Sequence, residues 1–129
     1  MVHWHRNAVA NAVNPEHIPD PDLLYRRIHP LHFEAESQHV SSAAFQQERM
    51  SVNWAKYATP QQTASPDTPV VVSLTAGQCR NLGQSVEHTP ITPPPPAISN
   101  IAHAEVCGNK TKATKKKLRD AAQIVWQRN

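Results

Sequence analysis

Residues His103, Glu105 and Cys107 occupy alternate positions in the stretch from Asn100 to Gly108. On a strand, a period of two sends these three side chains to one face and Ala102, Ala104 and Val106 to the other. An imidazole, a carboxylate and a thiol whose Cα atoms lie about 6.5–7 Å apart can move a proton or contribute to a metal site. Collinear strand positions do not converge on one ion. The His-x-Glu pair also lacks the downstream Pro-Cys-x-x-Cys of zinc deaminases. No metal site is therefore expected, and the chemistry assigned to this strand is acid–base, with His103 and Glu105 as the pair and Cys107 beside them.

A basic run follows at once. Lys110, Lys112, Lys115, Lys116 and Lys117 fall at the start of a C-terminal helix, where positive charge opposes the helix macrodipole. Lysines at the disfavoured end, next to free backbone N–H groups, form an anion-binding platform that engages phosphates without reading base sequence. No aromatic residues interleave with them, which argues against stacking on single strands. The charge layout agrees. Residues 108–129 carry a balance of +6 and the remainder −3, together the net +3 of the chain. Nearer the N-terminus, a strand reading of Leu23–His29 puts Tyr25, Arg27 and His29 on one face, where Arg27 and His29 can grip a phosphate or carboxylate. The layout of an early-strand arginine and a late-strand glutamate is similar to that of enzymes that transfer ADP-ribose from NAD, although no diagnostic motif of that class is present. His29 and His32 flank Pro30, which removes the helical meaning of their spacing.

Other chemistries find no support. Ser41, Ser42, Ser73 and Cys79 lie in no nucleophile elbow or cysteine-protease context. With three glycines in the chain there is no phosphate-cradling loop of the P-loop or dinucleotide type, so no cofactor is expected.

The elements that must position these residues are short. Leu, Ile, Val and Phe make up 25 of 129 residues, enough for one modest core. The strands expected are 23–29, 50–55, 70–74, 84–88 and 100–107. Met50, Val52 and Trp54 alternate inward, and Val70–Val72 form a β-branched run suited to a central strand. Thr59-Pro60 and Thr75 read as helix starts, with Gly83 at a left-handed C-terminal cap. Leu118, Ala121, Ala122 and Val125, extended by Trp126, give the C-terminal helix an apolar face. The fold expected is a small single α+β domain, with about five short strands in a mostly antiparallel or mixed sheet covered by that helix. Residues 1–22 are expected to form a loosely ordered N-terminal segment, with Trp4, Ala8 and Ala12 on one face of a short helix. The domain proper is 23–129, with a stiff proline-rich loop at 89–98.

The chain lacks a membrane-length apolar stretch and a signal-peptide core, and its two cysteines suggest no disulfide scaffold. The expectation is a cytoplasmic protein without a membrane partner. The leading function expected is an accessory protein that engages an anionic partner, nucleic acid or a phosphorylated ligand, through the basic helix start. The alternative is a small enzyme acting on a phosphate-bearing or nucleotide-like substrate through His103 and Glu105. The residues leave the oligomeric state open.

Overall fold

The computed structural model describes residues 14–129; the short helix expected around Trp4, Ala8 and Ala12 lies outside the described residues. The chain forms β1 (Leu23–Ile28), a two-strand hairpin of β2 (Phe33–Glu34) and β3 (His39–Val40), and β4 (Arg49–Trp54). Then come α1 (Pro60–Thr63), β5 (Val70–Thr75), α2 (Ala76–Asn81), β6 (Ser85–His88), β7 (His103–Cys107), α3 (Lys112–Ala121) and β8 (Gln123–Gln127). Six strands build one sheet in the order β6-β7-β4-β1-β5-β8, and every pair in it is antiparallel. No helix among the described residues is long and apolar enough to cross a membrane.

Alternation explains the layering. Leu24 and Ile28 of β1, Met50, Val52 and Trp54 of β4, Val70, Val72 and Leu74 of β5, and Ala104 and Val106 of β7 are buried on one face. Phe45, Ala76, Cys79, Leu118 and Ile18 cover them. The segment before β1 is tied down as well: Glu16 binds Lys56 and Tyr57, and Trp54 donates its indole N–H to Asp22. Capping boxes at Thr59 with Gln62 and at Thr75 with Gln78 start α1 and α2. Gly83, at φ 79°, takes the left-handed turn that follows α2.

Two expectations need correction. The sheet has six strands rather than five, besides the separate hairpin. The C-terminal helix stops at Ala121, because Ala122 turns to extended backbone (ψ 142°) and Gln123–Gln127 becomes β8. The Ile124-Val125-Trp126 run is β-branched and aromatic, and pairing with β5 supplies ladder hydrogen bonds that a continued helix would not. Val125 and Trp126 therefore do not extend the helical face; Leu118 is the buried anchor of α3.

The second face of the sheet is covered only in part. Beneath α1 and the loop after it, Val71 and Ser73 are buried on the β1–β5–β8 side. On the β4–β7–β6 side, Arg49, Ser51, Ser85 and Glu87 remain exposed. The candidate site lies at the border between these halves.

Candidate functional site

A cleft opens where β1 and β4 part. The two strands pair at Leu24↔Trp54 and Tyr25↔Asn53, and the ladder then stops, although β1 stays paired with β5 along its whole length. Arg26 is the wedge. Its guanidinium reaches from the core side and donates to the Ala44 carbonyl (3.0 and 3.2 Å), the Ser51 carbonyl (2.8 Å) and Gln47 Oε1 (3.2 Å). At Ser51 it thus satisfies a backbone acceptor that a strand partner would otherwise have served, and at Ala44 it ties the strand to a 3₁₀ turn. Burial lowers its pKa to about 10. Among the described residues no carboxylate forms an ion pair with Arg26, so its charge is balanced only by neutral oxygens.

The cleft is small and open, with a cavity volume of about 50 Å³, and is lined by Tyr25, Arg26, Arg27, Ser51, Asn53, Thr63, Asn100 and His103, with Val52 between. Register dictates this grouping. Asn53 pairs with Tyr25 on one side and His103 on the other, so the three stand in a row across the sheet. At about 4.8 Å between neighbouring strands, Tyr25 and His103 are roughly 10 Å apart at the backbone. Asn53 donates to Thr63 Oγ1 (3.1 Å) and accepts from Asn100 Nδ2 (3.0 Å), a chain of amides and hydroxyls that fixes the cleft wall.

Thr89 biases His103 toward one tautomer. Its Nδ1 lies 2.9 Å from the Thr89 hydroxyl and 3.0 Å from the Thr89 carbonyl oxygen; the carbonyl can only accept, which favours a hydrogen on Nδ1 shared between the two oxygens. Nε2 is then left with its lone pair, 3.3 Å from Ser51 Oγ. Glu105 shares the face of His103 and pairs across the ladder with Ser51, but its carboxylate is committed to Arg49 at 2.6 Å and 3.4 Å. Cys107 completes the alternation, half-buried, its thiol pushed up by burial and by Glu87 and Glu105.

The remaining sequence candidates are dispersed. Arg27 lines the cleft. His29 does not: its Nδ1 accepts from Leu31 N (3.1 Å) and caps the 3₁₀ turn Pro30–His32. Lys110 points back into the protein, donating to the carbonyls of Glu48, Val106 and Gly108 at 3.0–3.2 Å. Lys112, Lys115, Lys116 and Lys117 project from α3, whose first turn is capped by Thr111. No described group of three or more His, Cys, Asp or Glu side chains could hold a metal ion. Sequence reasoning missed Arg26 and Ser51. Arg26 left a signal, an arginine between Leu24 and Ile28 on the apolar face of its strand. Ser51 left none, since its meaning comes from a histidine 52 residues away.

Compared with family models, with curated proteins and with solved structures, the chain matches none. The site must be understood from its own geometry.

Proposed function

We propose that the chain is a small enzyme acting on a phosphate-bearing, nucleotide-like substrate bound in the β1–β4 cleft, with His103 as its general base. The observation that carries this reading is Arg26, a largely buried guanidinium with no described counter-ion under an open polar cleft. An uncompensated positive charge in a low-dielectric setting attracts an anion placed above it far more strongly than a surface lysine does. Arg27 at the rim supplies a second guanidinium for the same anion. Tyr25 offers a ring face, and the amides of Asn53 and Asn100 offer hydrogen-bonding edges to the rest of the ligand. Across the cleft, the free Nε2 of His103 is within reach of a proton on a substrate lodged against Ser51. Glu105, bound to Arg49, acts on His103 through its field.

Titration with ADP, with adenosine as the uncharged control, tests this by NMR shifts of the cleft residues. ADP should move Arg27, Asn53 and His103, and Arg27→Gln should weaken it by up to about tenfold, as expected for one charge-assisted contact at an exposed rim. Equal binding of adenosine and ADP, or shifts confined to α3, would refute it.

The lysines of α3 support a second reading, an accessory role on a polyanion. Lys112, Lys115, Lys116 and Lys117 gather within two turns of helix, in a region that holds most of the positive charge of the chain. RNA binding that falls steeply with salt and is lost on replacing these four lysines would favour it.

A further inference from the structure

The cleft contains a second reactive group beside His103. We infer that Ser51 is a covalent nucleophile activated by His103, an assignment that rests on the cleft being the substrate site. Three features of the geometry point to it. The Thr89 carbonyl and hydroxyl both lie against His103 Nδ1, and with the proton held there by the carbonyl Nε2 is left an acceptor. Ser51 Oγ is the hydroxyl facing that lone pair, at 3.3 Å, the spacing of a base and nucleophile before a substrate tightens them. The Ser51 backbone is itself clamped, because its carbonyl receives the Arg26 guanidinium at 2.8 Å. Nucleophile, base and the group that orients the base thus stand on three segments locked by sheet register: β4, β7 and the residue after β6.

In the reaction, Ser51 Oγ attacks the phosphorus of a bound phosphate ester. The Oγ–P bond forms as the bond from phosphorus to the leaving oxygen breaks. The serine proton passes to His103 Nε2 and from there to the departing alkoxide, which leaves as the alcohol. A water molecule then attacks the phosphoserine, giving a proton to Nε2. The P–Oγ bond breaks, Oγ recovers the proton, and the net change is ester plus water to alcohol plus phosphate. Arg26 and Arg27 neutralise the charge that gathers on the phosphoryl oxygens, the term on which phosphoryl transfer chiefly depends.

A fluorophosphonate probe tests this without knowledge of the natural substrate: Oγ–P forms, P–F breaks, and the proton leaves with fluoride by way of His103. Peptide mass spectrometry should place the adduct on Ser51, Ser51→Ala should abolish it, and saturating ADP should slow it. His103→Gln should reduce the labelling rate by about 100-fold or more, the usual worth of a positioned base. Added imidazole should restore part of the labelling rate to His103→Ala, a readout that a merely structural histidine would not supply. Circular dichroism of the variants checks that they fold, and Ser51 is exposed, so its truncation leaves no cavity. Labelling at another serine, or at Ser51 with a rate indifferent to His103, overturns the inference. An unlabelled Ser51 in a protein whose cleft still responds to ADP removes the nucleophile and leaves the substrate site standing; no response to either removes both.

Discussion

Lys110 separates from its neighbours in a way that stability measurements can detect. Its ammonium donates to three backbone carbonyls, Glu48 O and Val106 O at 3.0 Å and Gly108 O at 3.2 Å, joining the start of β4 to the end of β7. Lys110→Met keeps most of the apolar stem and removes all three donors. Each hydrogen bond to a charged group contributes about 1.5–3 kcal/mol when sheltered. The site is only half-buried, and Glu48 O keeps a second donor in Gly108 N at 3.0 Å, so the full sum does not apply. Burial also pulls the Lys110 pKa down, a sign that desolvation offsets part of the gain. The net expectation is a loss of about 2–3 kcal/mol, which for a chain of this length lowers the melting temperature by roughly 6–15 °C. Lys116→Met, on the exposed side of α3, should change stability by less than about 0.5 kcal/mol. Urea denaturation followed by circular dichroism measures both. If the two variants lose the same amount, the three carbonyl contacts contribute nothing, and Lys110 belongs with the solvated lysines after all.

Other consequences follow from single residues. Gly108 sits at φ 149°, and a Cβ there would lie 2.8 Å from the buried Gln84 Oε1, so Gly108→Ala should cost about 1–3 kcal/mol in chemical denaturation; an unchanged midpoint would show that the backbone gives way freely. Glu16 is held below its ordinary value of 4.5 by hydrogen bonds from Lys56 and Tyr57. Because the folded pKa is the lower one, the stability it contributes is present above about pH 4.5 and is lost as pH falls through the folded value. The melting-temperature gap between wild type and Glu16→Gln should therefore be constant at neutral pH and close in acid; a gap that widens in acid has the wrong sign. Burial raises the Cys79 thiol to about 11, whereas Cys107 is half-exposed. A thiol reagent should modify Cys107 slowly in native protein and Cys79 only after unfolding, and prompt reaction of both would contradict the packing under α2.

Much of the frame was legible because it obeys period two. Met50, Val52 and Trp54, the Val70–Val72 run, and the alternation from Ala102 to Cys107 all fold as their patterns require. The helix starts at Thr59 and Thr75 were legible because a capping side chain and its partner three residues on are local information. What misled was competition between periods. Ile124, Val125 and Trp126 fit the helical face begun at Leu118, and only the open edge of β5, a long-range fact, settles them as a strand. The two-residue strands of the β2–β3 hairpin are too short for any periodicity to register. At the site, the face shared by His103 and Glu105 was readable, but not that Arg49 occupies the carboxylate. Which residue approaches Nε2 depends on the β4–β7 register, and no local pattern encodes that register.

The depth of Arg26 makes the cleft distinguishable from the lysine face by salt. A phosphate lodged about 6 Å from the Arg26 guanidinium gains roughly 3 kcal/mol at an effective dielectric of about 20. Arg27 and the lysines of α3 face water, where raising ionic strength from 0.1 to 1 M shortens the screening length from about 10 to 3 Å. Mobile ions cannot enter between Arg26 and an anion seated directly above it, so that part of the attraction survives. ADP binding in the cleft should therefore weaken by no more than about tenfold over this range, losing mainly the rim contribution of Arg27. A polyanion on Lys112, Lys115, Lys116 and Lys117 should lose nearly all affinity, because its attraction is made entirely of exposed charge and released counterions. Calorimetric titration of ADP at the two salt concentrations, with wild type and Arg27→Gln, decides the matter. The variant should be weaker at low salt and nearly equal to wild type at high salt. If ADP binding vanishes at 1 M salt in both, the buried guanidinium is not the anchor, and Arg26 only holds β1 and β4 apart.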